Sequence, residues 1–186
     1  MKDNYKNRIY ALFILLIFIA GCATWTKAGG PYVNNALKYS ADLPWGWMKY
    51  KGQDLLLTRD GLFLEEITVR RVNINKKLEH TKKKFVKGML PEELAEVEID
   101  NISSNPSLNN FELMENVPIS LSVQNAFRLS YSFSNKDGLK YKCIHYGFAY
   151  ENWVYSLVYT STADYYFEKN LEAFNQVTNS FKFLAE

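Results

Sequence analysis

Residues 127–160 read FRLSYSFSNKDGLKYKCIHYGFAYENWVYSLVYT, and their patterning decides the fold. Phe127, Leu129, Tyr131 and Phe133 alternate with Arg128, Ser130, Ser132 and Ser134, the period-two signature of a strand. Asn135-Lys136-Asp137-Gly138 supplies a hairpin turn, and Glu151-Asn152 a second tight one. Two further strands, 139–150 and 153–160, flank the second turn. In both, large apolar side chains occupy both alternating sets. Ile144, Tyr146 and Phe148 oppose Tyr141 and Cys143, and Trp153, Tyr155 and Leu157 oppose Val154 and Val158. An antiparallel strand with one wet face would show only one such row. The spacing therefore predicts an antiparallel meander covered on both sides.

Toward the C-terminus, one cover is a helix over 164–179. Phe167, Leu171, Phe174, Val177 and Phe181 follow the three-and-four spacing of a single helical face. Ser161 and Asp164 form a weak capping box, and residues 181–184 leave the helix as an extended end. Toward the N-terminus, 111–117 reads as a strand ending before Pro118, after which Ile119, Leu121 and Val123 alternate with serines. Residues 103–110 read as a polar loop. Pro91 opens a helix whose first turn carries Glu92 and Glu93, suited to the positive helix N-terminus. Ala95, Ile99 and Ile102 give it an apolar edge, widened by Leu94 and Val97.

Residues 75–89 carry Leu78, Phe85 and Met89 at helical spacing behind a possible Asn75 cap, which predicts a second helix rich in lysine. Its charge, beside the acidic helix that follows, is read as a solvated face rather than a docking site for anionic lipid. Earlier, 54–58 and 62–74 read as strands joined at Asp60-Gly61. Leu37, Tyr39 and Ala41 open the domain as a short strand, and Pro44 and Gly46 punctuate a turn among aromatics.

Residues 8–22, RIYALFILLIFIAGC, carry a different message. Lys2, Lys6 and Arg8 precede an apolar run that is shorter than the roughly 20 residues a membrane-spanning helix needs. It ends in Ile19-Ala20-Gly21-Cys22, which resembles the lipobox of bacterial lipoproteins. That resemblance implies cleavage between Gly21 and Cys22, and acyl chains on Cys22 that anchor the protein without a transmembrane helix. Ala23 is not the aspartate that commonly retains such proteins in the inner membrane. The class resemblance thus favours the outer membrane facing the periplasm, or the extracytoplasmic face of the cell membrane where there is no outer one. The organisation expected is a signal over 1–21, a lipidated tether over 22–35 containing Trp25, and one α+β domain over 36–186.

The signal also explains the charge. The precursor carries 22 Lys and Arg against 20 Asp and Glu, but residues 1–21 hold three of those cations and one anion. The remainder is formally neutral, which argues against a nucleic-acid partner. With Cys22 acylated, Cys143 has no intrachain disulfide partner.

Tyr39, Pro44 and Trp47 early, with Phe174, Ser180, Phe181 and Phe183 late, frame an order of elements that resembles the PsbP-like fold. The superfamily includes the extrinsic photosystem subunit, a Ran-binding import factor and DcrB-type envelope lipoproteins. The resemblance implies an α+β sandwich, an antiparallel sheet of about six strands with helices packed on its faces. It also implies a non-enzymatic accessory or protein-binding role in the envelope, with no cofactor and no metal. Neither His80 nor His145 transfers onto a ligand position of that family. Cys143 and His145, at i and i+2, share a strand face in the manner of a thiol–imidazole pair, but a buried structural thiol and an ordinary strand histidine explain them as well. A carrier for a small hydrophobic ligand held between sheet and helix, and a hydrolase using Cys143 and His145, are the two alternatives.

Overall fold

The computed structural model describes residues 24–184. Gly21 and Cys22, and the signal they end, lie outside the described residues. Thirteen elements follow. They are β1 (Trp25–Lys27), β2 (Gly30–Asn34), β3 (Tyr39–Leu43), β4 (Met48–Tyr50), β5 (Leu55–Thr58), β6 (Glu65–Asn73), α1 (Pro91–Ser103), β7 (Asn109–Leu121), β8 (Gln124–Ser134), β9 (Lys140–Tyr150), β10 (Trp153–Thr162), α2 (Tyr166–Ser180) and β11 (Lys182–Phe183).

β7 to β10 form the meander, and β10 then pairs with β6 rather than ending the sheet. The result is an eight-stranded antiparallel sheet in the order β1-β4-β5-β6-β10-β9-β8-β7. The expected six strands fall short because β1 and β4 are three-residue strands, too brief to show alternation. A second sheet, β11-β3-β2, packs with α2 on one face, while α1 and the segment 74–90 cover the other. Both faces of β9 and β10 are therefore packed, as their double apolar rows require, except where β10 borders an opening on the α1 side.

The α2 face holds the larger core. Phe174 is fully buried, its ring stacked on Tyr159 at 5.5 Å and tilted against Tyr146 at 5.8 Å. Phe167, Val177 and Phe181 complete the buried stripe, with Leu171 half-buried beside them. Phe183 then turns back among Phe148, Tyr150 and Tyr155. No side chain caps α2: Tyr165 stands at its N-cap, and the Ser161 hydroxyl donates instead to the Leu64 carbonyl at 3.1 Å. The expected capping box is absent because Ser161 still belongs to β10.

Three further expectations are corrected. Residues 74–90 are irregular, not helical. Phe85 is buried and Leu78 and Met89 pack half-buried against α1, so the apolar positions are tertiary anchors. Lysines spaced four apart would repel along a helix, whereas here Lys83 lies 3.8 Å from Asp100, Thr81 donates to Asp100, and the His80 amide donates to Asn101. β7 runs unbroken through Pro118, because it is an edge strand and a missing N–H costs little there. Finally, most of the expected tether is folded: β1 pairs with β4, and β2 with β3. Trp25 packs edge-on to Tyr50 at 5.3 Å.

Candidate functional site

On the α1 side of the sheet, β6, β10, β9 and β8 place their side chains in three cross-strand rows. One runs Arg70, Ser156, Gly147, Phe127; the next Thr68, Val158, His145, Leu129; the third Glu66, Thr160, Cys143, Tyr131. The β8 end of these rows is covered by Leu94, Ala95 and Val97 of α1. The β6 and β10 end is not. It forms the floor of a half-open cleft of about 670 Å³, walled by α1 and the segment 76–80.

The floor is polar where a sheet packed on a helix is normally apolar. His145 is 1 % exposed, and neither ring nitrogen has a hydrogen-bond partner among the described residues. Phe127 meets it edge-on, ring centroids 5.3 Å apart. Gly147 makes that contact possible, since a Cβ there would stand 2.2 Å from the Phe127 ring. Burial, then the charge of Arg70, pushes the His145 pKa down to about 3. Glu98, on the buried face of α1, is only 6 % exposed and has no hydrogen-bond partner among the described residues. Burial raises its carboxyl, opposed by Arg70, and Glu66 is shifted in the same sense by the same two causes. Arg70 thus acts electrostatically on Glu66, Glu98 and His145 at once.

Cys143 and His145 do share a strand face, as their spacing predicts, but they do not work on each other. The Cys143 thiol donates to Thr160 Oγ1 at 3.5 Å, and burial pushes it up to about 12. A thiolate–imidazolium pair needs the reverse, a depressed thiol beside a basic imidazole. His80 lies on the cleft wall, 3.8 Å from Glu79. Among the described residues no group of three His, Cys, Asp or Glu side chains stands where it could hold a metal.

Glu66, Arg70 and Glu98 went unread in the sequence as site residues. Glu98 had a signal: it lies four residues after Leu94 and three after Ala95, inside the buried stripe of its own helix. Glu66 and Arg70 had none, because alternation cannot say which part of a sheet face its helix leaves uncovered.

These layers and their connectivity define a PsbP-like fold, a mainly antiparallel sheet with two helices. Solved structures agree. The chain is similar to cyanobacterial PsbP (CyanoP) from Synechocystis sp. PCC 6803, with a TM-score of 0.55 at 18% identity over 88% of this chain and 94% of that one. It is similar to the Ran-binding protein Mog1p of Saccharomyces cerevisiae, with a TM-score of 0.55 at 8% identity over 86% and 97%. A protein from Bacteroides thetaiotaomicron VPI-5482 matches with a TM-score of 0.52 at 12% identity over 85% of this chain, which spans about half of that protein (49%). At these identities the likeness is one of fold. No protein-family model matches the chain, and no curated protein matches it by sequence.

Proposed function

We infer that this is a lipid-anchored envelope protein whose PsbP-like domain serves as a non-catalytic binding module. The observation that carries the binding role is the cleft: a sheet floor left uncovered beside α1, with the His145 ring buried in it and both ring nitrogens without a hydrogen-bond partner among the described residues. Buried polar groups are ordinarily paired, because an unmade hydrogen bond costs about 1–3 kcal/mol. Groups kept unpaired at the base of an opening are suited to a partner that arrives from outside. Attachment to the envelope rests on the lipobox-like ending at Cys22 and the apolar run before it. Among the described residues no helix is long and apolar enough to cross a membrane.

Of the two alternatives, the carrier is the nearer, since the cleft lies where it would need to, between sheet and helix; its floor, however, is charged. The hydrolase needs an activated Cys143. A neutral disulfide reagent tests that need. Slow labelling of Cys143 in the folded protein, complete labelling in denaturant, and no slowing in His145→Ala are the outcome expected. Fast labelling that depends on His145 would replace the binding module with an enzyme.

A further inference from the structure

The cleft has a sign. Its floor holds two carboxylates, Glu66 and Glu98, against one guanidinium, Arg70. His145 is neutral at physiological pH, because burial and Arg70 oppose its protonation. The rim adds Asp54 and Glu79 against Lys76 and Lys77, which cancel. One formal negative charge is left over; of the three floor groups Glu98 is buried, Glu66 half-buried and Arg70 exposed. Glu66 and Glu98 line the opening with acceptor-only carboxylates when ionised, and the buried neutral imidazole of His145 adds one unpartnered acceptor nitrogen and one donor. An anion entering this floor would meet two carboxylates, while a neutral apolar molecule would leave the buried His145 nitrogens unpaired at the cost noted above. The walls are different: Leu56, Leu78, Ile102, Phe133 and Val158 line the cleft with hydrocarbon. Its volume of about 670 Å³ is that of a site for a small organic molecule.

We propose that the cleft binds a small organic cation, a protonated amine on an apolar body, with the ammonium on the polar floor that Glu98, Glu66 and His145 line and the body laid against Leu78, Ile102 and Phe133. The cation neutralises the surplus carboxylate and supplies donors to the acceptors of the floor. It completes the set that Arg70 balances only in part. This assignment rests on reading the domain as a binding module, and it adds the chemical class of the ligand.

Three probes with similar bodies and different heads test it: 2-phenylethylamine, 2-phenylethanol and 3-phenylpropanoate, titrated into the full chain in non-ionic detergent at neutral pH. Binding is read by calorimetry and by the thermal unfolding midpoint. The amine should bind saturably and raise the midpoint, with the alcohol and the carboxylate weaker by about tenfold or more, the worth of one charge-assisted hydrogen bond. Glu98→Gln removes a buried charge while keeping the shape, so the variant should fold and lose amine affinity by a similar factor. Glu66→Gln is a second reading of the same loss, from a residue on another element. Amine affinity unchanged in both variants, or a carboxylate or alcohol that binds as well as the amine, would overturn the cation assignment. Those outcomes leave the non-catalytic reading standing. Recovery of a chemically altered amine does the opposite, ending the non-catalytic reading and retaining the ligand class.

Discussion

His145 carries a proton more readily in the unfolded chain, where it behaves ordinarily, than in the fold, where burial and Arg70 bring its pKa from 6.5 to about 3. Between those two values the unfolded state binds the extra proton. The contribution of His145 is therefore complete above pH 6.5 and is lost as pH falls toward 3. While that window lasts, stability should fall by about 1.4 kcal/mol per pH unit. Glu66 and Glu98 work against this, because their raised carboxyls hold protons more tightly in the folded state and favour it on acidification. Comparing His145→Gln with the parent separates the terms. Urea unfolding at stepped pH should show a flatter acid slope in the variant, and parallel slopes would mean that the imidazole is not the group being titrated. Gly147 makes a second residue-scale case. Gly147→Ala puts a methyl group into the Phe127 ring and should destabilise by about 1–3 kcal/mol, as overpacking does. A thermal midpoint equal to the parent's would show that Phe127 can move aside at no cost.

Two elements give contrasting expectations at the next scale. α2 is held by its aromatic stripe, so Phe174→Ala should cost about 3–5 kcal/mol, the loss of a fully buried ring. Lys169, on the other side of the helix, lies 2.7 Å from Asp60 and 4.9 Å from the Tyr166 ring centroid. This pair is partly solvated, so Lys169→Ala should lower the midpoint far less than Phe174→Ala. Equal midpoints would put the wrong face of α2 inward. The β5–β6 connection is tied by Glu65 together with Thr58, whose hydroxyl accepts from the Gly61 amide at 3.1 Å. Glu65 is buried, and its Oε1 accepts from the Arg59 amide at 2.8 Å and the Asp60 amide at 2.6 Å. Glu65→Ala leaves both amides without that acceptor and should cost about 1–3 kcal/mol or more, while Glu65→Gln, which keeps a carbonyl oxygen there, should recover much of it. A Gln variant as unstable as the Ala variant would place the role of Glu65 elsewhere. By alternation alone, residues 62–74 make one continuous strand. In the fold, residues 62–64 are a turn, and Phe63 is left 84 % exposed while its carbonyl accepts from the Tyr141 hydroxyl.

For the whole molecule the open quantity is its distance from a membrane. β1 begins at Trp25, three residues after Cys22, a span of about 11 Å at full extension. An acylated Cys22 would therefore hold the domain against the bilayer surface rather than on a long tether. Cys22→Ser removes the sulfur to which the acyl group would attach, and should leave precursor that is uncut or misprocessed and released from membranes. Mass spectrometry of the mature N-terminus decides it: an unmodified Cys22 or a cut at another bond would remove the anchor.

The amino-acid sequence by itself determined what periodicity can carry. The three strands β8 to β10, the face of α2 and the helix opened by Pro91 were legible because each repeats its apolar residues at one period over many positions, and packing agrees with local preference. Three things were decided only by tertiary structure. The eight-strand sheet needed β1 and β4, which are too short to hold a period and exist because a neighbour accepts their backbone. The segment 74–90 has helical spacing by coincidence: it is held to α1 by buried Phe85 and by the contacts of Thr81 and Lys83 with Asp100. The cleft has no sequence signature, because it is a gap: α1 covers the β8 end of the sheet and stops short of β6 and β10. Side chains that a strand pattern marks only as inward-facing become a floor there. Which inward residues meet a helix and which meet an opening depends on where an element packs, and no local spacing encodes that.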